Sequence, residues 1–219
     1  MHRLPFLLLA FLPWLMVWLG LHRCHNVVGT FALYHGCCLL PAIIFYRNLW
    51  LGHLQLPTRK QVAIMLCASV FFSLLAAFLF SLLGDRLISK QHVLQELASR
   101  GWTRDQFYPL VLYFLTVNPV LEELFWRGVI LNGLTNKRGE MDFRLQVWVA
   151  WCFAAWHYLV LRVFFQQFFA ESIVVGIAVV GGALAYLYRK YKSLVLPILW
   201  HSLVFDMLVI VVLFMLIGP

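Results

Sequence analysis

Charge is scarce in this sequence, and acidic charge scarcest of all: 12% of its 219 residues are charged and only 9 are Asp or Glu. Soluble domains keep about a quarter of their residues charged and about half apolar. Here 63% are apolar and the mean hydropathy is +0.85, which excludes a soluble globular domain and identifies an integral membrane protein. The alternating apolar and polar period of a membrane barrel is also missing, so sheet is excluded. No C-x-x-C pair occurs among Cys24, Cys37, Cys38, Cys67 and Cys152. Their odd number, mostly inside apolar runs, reads as small buried apolar residues rather than a disulfide framework. No low-complexity linker or internal repeat divides the chain, which reads as one integral-membrane domain over 1–219.

What is present is a series of apolar runs, each near the roughly 20 residues that cross a bilayer core. Runs at 4–20, 27–46, 61–83, 108–134, 145–165, 172–188 and 194–217 predict seven transmembrane helices, or eight if the fourth breaks near Pro119. The expected fold is an all-α, polytopic membrane helical bundle. No small-residue cleavage site follows the first run, and Leu21-His22-Arg23 before Cys24 is not a lipidation box, so that run reads as an anchor helix. Segment 84–107 places Leu87, Ile88, Val93, Leu94 and Leu97 among charged neighbours at roughly helical spacing. It reads as an amphipathic interfacial helix, serving either as a lid or as a plain connector. Polar turns are expected at Asn136-Lys137-Arg138-Gly139 and at 189–193. In the sixth run Ala178 and Gly182 form a small-xxx-small pair, with Gly176, Gly181, Ala183 and Ala185 nearby, which predicts close helix packing along one wall of a site.

The net charge of +8 follows membrane topology rather than nucleic-acid binding. With the N-terminus in the cytoplasm, cytoplasmic segments carry 10 Lys or Arg residues and the opposite side 6, four of these in the long loop before the fourth helix. A short chain without retention signals fits a bacterial inner membrane.

Against this background Glu122, Glu123 and Arg127 stand inside the fourth run. Each costs roughly 2.5–3.5 kcal/mol at bilayer depth on insertion scales, so such residues pair, face a wet cavity or do chemistry. Glu123 and Arg127 are four apart and share a helix face, which suits an ion pair. Glu122 points about 100° away, facing a cavity in this reading, where a carboxylate can take a proton from water. Two later runs each hold a histidine. His157 shares a face with Phe153, and His201 follows Pro197, which can open backbone groups locally. Asp206, five residues after His201, falls about 140° round an α-helix from it, which argues against direct pairing. His35 of the second run has no such company and reads as a buried, satisfied histidine. Trp14, Trp18, Trp148, Trp151, Trp156 and Trp200 read as interface belts or packing, with Trp156 and Trp200 adjoining the candidate histidines.

Three motifs in order, Glu122-Glu123-Leu124-Phe125-Trp126-Arg127, Phe153-Ala154-Ala155-Trp156-His157 and His201-Ser202-Leu203-Val204-Phe205, resemble the CPBP family of intramembrane proteases, whose patterns are EExxxR, FxxxH and HxxxN or HxxxD. The resemblance covers about 109–216. One residue departs from it: Phe205 stands where the family has Asn or Asp, and Asp206 comes one later. Either the helix is irregular and Asp206 substitutes, or the contact is lost or supplied by another group. The resemblance implies an endopeptidase cleaving a membrane-associated protein or peptide, at a C-terminal tail or a leader or sorting signal. Glu122 and His157 would activate water and His201 would hold the oxyanion, supported by Glu123, Arg127, Phe153 and Asp206. It implies no nucleic-acid partner and no firm cofactor. Zinc held by Glu122, His157 and His201 is the alternative, although no H-E-x-x-H motif occurs. Two other classes compete: a non-catalytic immunity, chaperone or transport protein on the same scaffold, and a haem-binding electron-transfer bundle with His157 and His201 as axial ligands.

Overall fold

The computed structural model describes residues 3–135 and 142–218, so the expected turn at Asn136-Lys137-Arg138-Gly139 lies outside the described residues. Within them the chain is an all-helical membrane bundle. Helices α1 (Leu4–Arg23) and α2 (Val27–Phe45) form a hairpin, followed by α3 (Arg59–Leu87) and the short α4 (Lys90–Ser99). Then come α5 (107–134), α6 (Phe143–Phe164), α7 (Gln167–Tyr191) and α8 (Val195–Ile217). Six of these, all but α4 and α5, are long and apolar enough to cross a membrane. α5 is of comparable length and carries the three intramembrane charges. It runs through Pro119 without a break, so the fourth run is one helix and not two.

α5 is the axis of the bundle. Every residue from Leu124 to Leu131 is buried, the signature of a helix surrounded on all sides. Phe6 and Val17 of α1, Tyr34 and Leu39 of α2, Phe153 and Trp156 of α6 and Ala185 and Tyr188 of α7 share one core cluster with it. Gly133 lets α1 approach, since a Cβ there would fall 2.3 Å from the Phe6 ring. Asn132 ties the same end together, donating to Leu49 O at 2.8 Å and to the Tyr188 hydroxyl at 2.7 Å.

α3 is the opposite case. It starts at a Thr58–Gln61 capping box and packs along α8, leaving Ile64, Phe71, Phe78 and Leu82 exposed on its outer side, where lipid is the natural solvent. α4 does form inside 84–107. Its apolar residues Val93 and Leu97 cluster with Trp102, Phe107, Leu216 and Ile217, so this face covers the end of the bundle.

Two packing expectations need correction. The packed face of α7 is Ala178, Gly181 and Ala185, whereas added Cβ atoms at Gly176 and Gly182 would meet nothing within 4 Å. A face at helical spacing of three and four residues excludes Gly182 because 181, rather than 182, continues the 174, 178, 185 stripe. Among the cysteines Cys38 is buried and Cys152 half-buried, but Cys24, Cys37 and Cys67 are exposed; a thiol is apolar enough for a lipid-facing position.

Candidate active site

The site begins with a proline. Pro119 has no N–H to donate to Leu115 O, and an orphaned carbonyl in hydrocarbon is costly. The Ser202 hydroxyl of α8 fills the gap, donating to Leu115 O at 2.6 Å. The break in the α5 ladder one turn before the acids thus becomes the point where α8 docks. Pro197 does not play the part expected of it. It lies in the first turn of α8, where helix N–H groups have no intrahelical partner to lose.

Beyond Pro119 the acids follow. Arg127 donates to Glu123 Oε1 at 2.8 Å and to Gly181 O of α7 at 2.8 Å, and its guanidinium lies 4.7 Å from the Phe153 ring centroid. Glu123 and Arg127 are 0% and 2% exposed, so the pair expected from their spacing is there, fully buried. Glu123 does more than balance Arg127, because the same Oε1 also accepts from His201 Nδ1 at 2.8 Å. Glu122 is turned elsewhere. Its Oε1 accepts from the Tyr34 hydroxyl at 3.0 Å, while Oε2 is buried without a hydrogen-bond partner, 3.6 Å from His201 Nε2.

α8 carries the largest departure from the expected geometry. From His201 to Asp206 its backbone is wound in π turns, in which hydrogen bonds span five residues. Residue i+5 therefore falls beneath residue i, and Asp206 Oδ1 comes to 3.6 Å from His201 Nε2. The 140° separation holds for a regular α-helix and is overturned here. Asn118 of α5, one turn ahead of Glu122, donates to the other Asp206 oxygen at 3.3 Å. Outside the helix the Ser69 hydroxyl of α3 bonds Leu203 O within the same π segment.

His157 enters from α6. Its Nδ1 lies 3.0 Å from Phe153 O. A carbonyl only accepts, so Nδ1 carries the proton and the neutral ring keeps its lone pair on Nε2. The ring stacks on Trp156 at 3.7 Å between centroids. Among the described residues His157 makes no hydrogen bond to Glu122 or His201. Phe153 instead spans them, its ring 5.3 Å from His157 and 6.0 Å from His201. The structure thus gathers Glu122, Glu123, Arg127, His201 and Asp206 into one bonded cluster and sets His157 beside it.

Tyr34, Asn118, Ser202 and Gly181 O complete the cluster and were not anticipated. Asn118 had a signal, an amide four residues before Glu122 in an apolar run; Tyr34 had none. His35 is buried as expected but only half satisfied: Nδ1 meets the Tyr113 hydroxyl at 2.6 Å, and Nε2 has no partner. Trp14 and Trp151 are exposed, in keeping with a belt, while Trp156 belongs to the core. No three His, Cys, Asp or Glu side chains stand at metal-ligand geometry among the described residues. The set Glu122, His157 and His201 does not form such a group.

Residues 104–205, just under half of the chain, match the family model of the Rce1-like proteins, described as type II CAAX prenyl endopeptidase Rce1-like. The match agrees with the CPBP resemblance of the three motifs and supports a CAAX-type intramembrane endopeptidase in general. It ends at Phe205, one residue before Asp206. The same comparisons found no matching curated protein and no matching solved structure.

Proposed function

We propose that this multi-pass membrane protein, with its Rce1-like segment at 104–205, hydrolyses a peptide bond of a membrane-associated protein or peptide using Glu122 as general base. The observation that carries the proposal is Glu122 Oε2: a buried carboxylate oxygen without a hydrogen-bond partner, 3.6 Å from His201 Nε2. A second acid beside the paired Glu123 has no structural task that would offset its insertion cost.

In the proposed reaction Glu122 Oε2 accepts a proton from a water that His157 Nε2 helps to orient. The resulting hydroxide attacks the scissile carbonyl, and the carbonyl electrons move to oxygen. His201 Nε2, carrying a proton, donates to that oxyanion while Nδ1 stays bonded to Glu123. The carbonyl then re-forms as the C–N bond breaks, and Glu122 gives its proton to the leaving amine. Arg127 holds Glu123 in place and keeps the α5–α7 contact closed through Gly181 O. The substrate class is a C-terminal tail or a leader or sorting signal, and we place the N-terminus in the cytoplasm and the protein in a bacterial inner membrane.

The bis-histidine haem reading fits poorly. The Phe153 ring lies against both histidines, in the space a porphyrin would have to fill.

The experiment compares protein termini in cells carrying the native chain or Glu122→Gln, which keeps shape and removes the base. Proteins that retain an extra terminal segment only with Glu122→Gln are the expected result and identify the substrate. Identical termini in both cells refute the catalytic role of Glu122.

A further inference from the structure

We infer that Tyr34 of α2 is a positioning residue for Glu122, which selects the carboxylate oxygen that acts as base; the inference rests on the role proposed above for that glutamate. A carboxylate has two equivalent oxygens, and a water poised for attack must meet one particular lone pair. Tyr34 breaks the equivalence. Its hydroxyl donates to Oε1 at 3.0 Å, in a contact where Tyr34 is 2% and Glu122 1% exposed. With Oε1 held, the side chain cannot swing, and the free Oε2 stays on the side of His201 Nε2, 3.6 Å away.

The phenol is itself fixed. Its ring lies 4.6 Å from Trp156, tilted by 46°, and Trp156 stacks on His157 at 3.7 Å. One residue of α2 therefore touches Glu122 through its hydroxyl and reaches His157 through a single intervening ring. These are the two groups proposed to share the water, and among the described residues they have no hydrogen bond between them. Rigid packing on both sides makes Tyr34 the member that sets their separation. Displacing a reacting group by about 1 Å can cost a hundredfold in rate.

α2 lies outside the family-matched segment 104–205, so the site is incomplete without a helix that the match does not reach. The neighbouring His35 is turned to Tyr113 instead, which leaves Tyr34 as the α2 side chain bonded to the acids.

Phenylalanine removes the hydroxyl and keeps the ring on Trp156. The test uses full-length protein purified in detergent as wild type, Tyr34→Phe, Glu122→Gln and the double variant, with the cellular protein that accumulates uncleaved behind Glu122→Gln as probe. Cleavage rate and retention of the uncleaved probe on immobilised enzyme are both measured, together with thermal unfolding. The expected result is cleavage slowed by about tenfold to a hundredfold in Tyr34→Phe, with probe retention equal to that of Glu122→Gln. The double variant should be no slower than Glu122→Gln alone, because residues acting as a unit are not additive. Wild-type turnover by Tyr34→Phe, with Glu122→Gln inactive, overturns this inference and leaves the role of Glu122 standing. Loss of probe retention and thermal stability together in Tyr34→Phe also overturns it, in favour of simple core filling. Undiminished turnover by Glu122→Gln, or no protein accumulating behind it, overturns both.

Discussion

Asp206 lies beneath His201 at a spacing of five residues, its Oδ1 3.6 Å from Nε2, because the backbone between them is wound in π turns. The wider turn takes up one extra residue, so that Asp206 occupies the place an α-helix would give Phe205. Phe205 itself is turned partly outward. π-bulges cost hydrogen-bond geometry and are frequent at functional sites, and here the partners that hold this one are visible. Asn118 grips the Asp206 carboxylate, and Ser69 satisfies Leu203 O.

If this pairing supports the histidine, Asp206→Ala should slow cleavage by roughly tenfold or more, while Phe205→Ala stays within about twofold of wild type. Initial rates on the native substrate check it. A larger loss at Phe205 than at Asp206 would show that the π turn is not what substitutes for the family pattern.

Ser202→Ala should act on folding rather than on chemistry. It leaves Leu115 O without the donor that Pro119 cannot supply, and a buried unsatisfied carbonyl costs about 1–3 kcal/mol. Hydrogen bonds between membrane helices average about 0.6 kcal/mol, so the lower end of that range is expected. Thermal unfolding in detergent reads the drop, and an unchanged midpoint would show that the carbonyl finds another donor.

Arg127→Ala should abolish the folded protein, because it leaves Glu123 buried beside His201 with its main counter-charge gone. Breaking a buried pair from one side costs about 3–5 kcal/mol. Arg127→Lys should rescue little. A shorter side chain ending in one nitrogen does not reproduce the fork in which separate guanidinium nitrogens lie 2.8 Å from Glu123 Oε1 and from Gly181 O. Yield of monodisperse protein after extraction measures both variants; wild-type yield of Arg127→Lys would reduce the arginine to a plain charge.

Part of this was legible in the sequence. Composition identifies a helical membrane bundle, and the i,i+4 rule pairs Glu123 with Arg127. The Asp206 contact is invisible in the sequence for a definite reason: helical-wheel angles assume α geometry throughout, and a π segment leaves no mark in residue spacing. Tyr34 was hidden for another, since aromatic residues fill every helix of this chain and only the tertiary fold shows which one meets an acid. Pro119 looks like a break in the sequence because the hydroxyl that repairs its helix sits 83 positions later, at Ser202.

Chelation offers an independent test of the proposed chemistry. No three His, Cys, Asp or Glu side chains stand at metal-ligand geometry among the described residues, and the proposed base is Glu122 itself. Dialysis against a strong chelator should therefore leave the cleavage rate unchanged. Loss of activity restored by zinc would transfer the activation of water from Glu122 to a metal.

The contact between α6 and α7 is the place where packing and chemistry are most tightly coupled. A Cβ on Gly181 would lie 2.9 Å from Phe153 Cδ1, and Phe153 is hemmed in by Arg127, His157 and His201. The ring cannot yield without moving a candidate catalytic group. Gly181→Ala should destabilise the protein by about 1–3 kcal/mol, the usual cost of overpacking a core, and should lower turnover further than its effect on folding explains. Gly182→Ala meets nothing within 4 Å and gains up to about 1 kcal/mol of helix propensity, so it should be neutral or stabilising with normal turnover. Unfolding midpoints and rates on the pair separate the two effects. Equal behaviour of the two alanines would mean that Phe153 has room to move, and that α7 does not form a wall of the site.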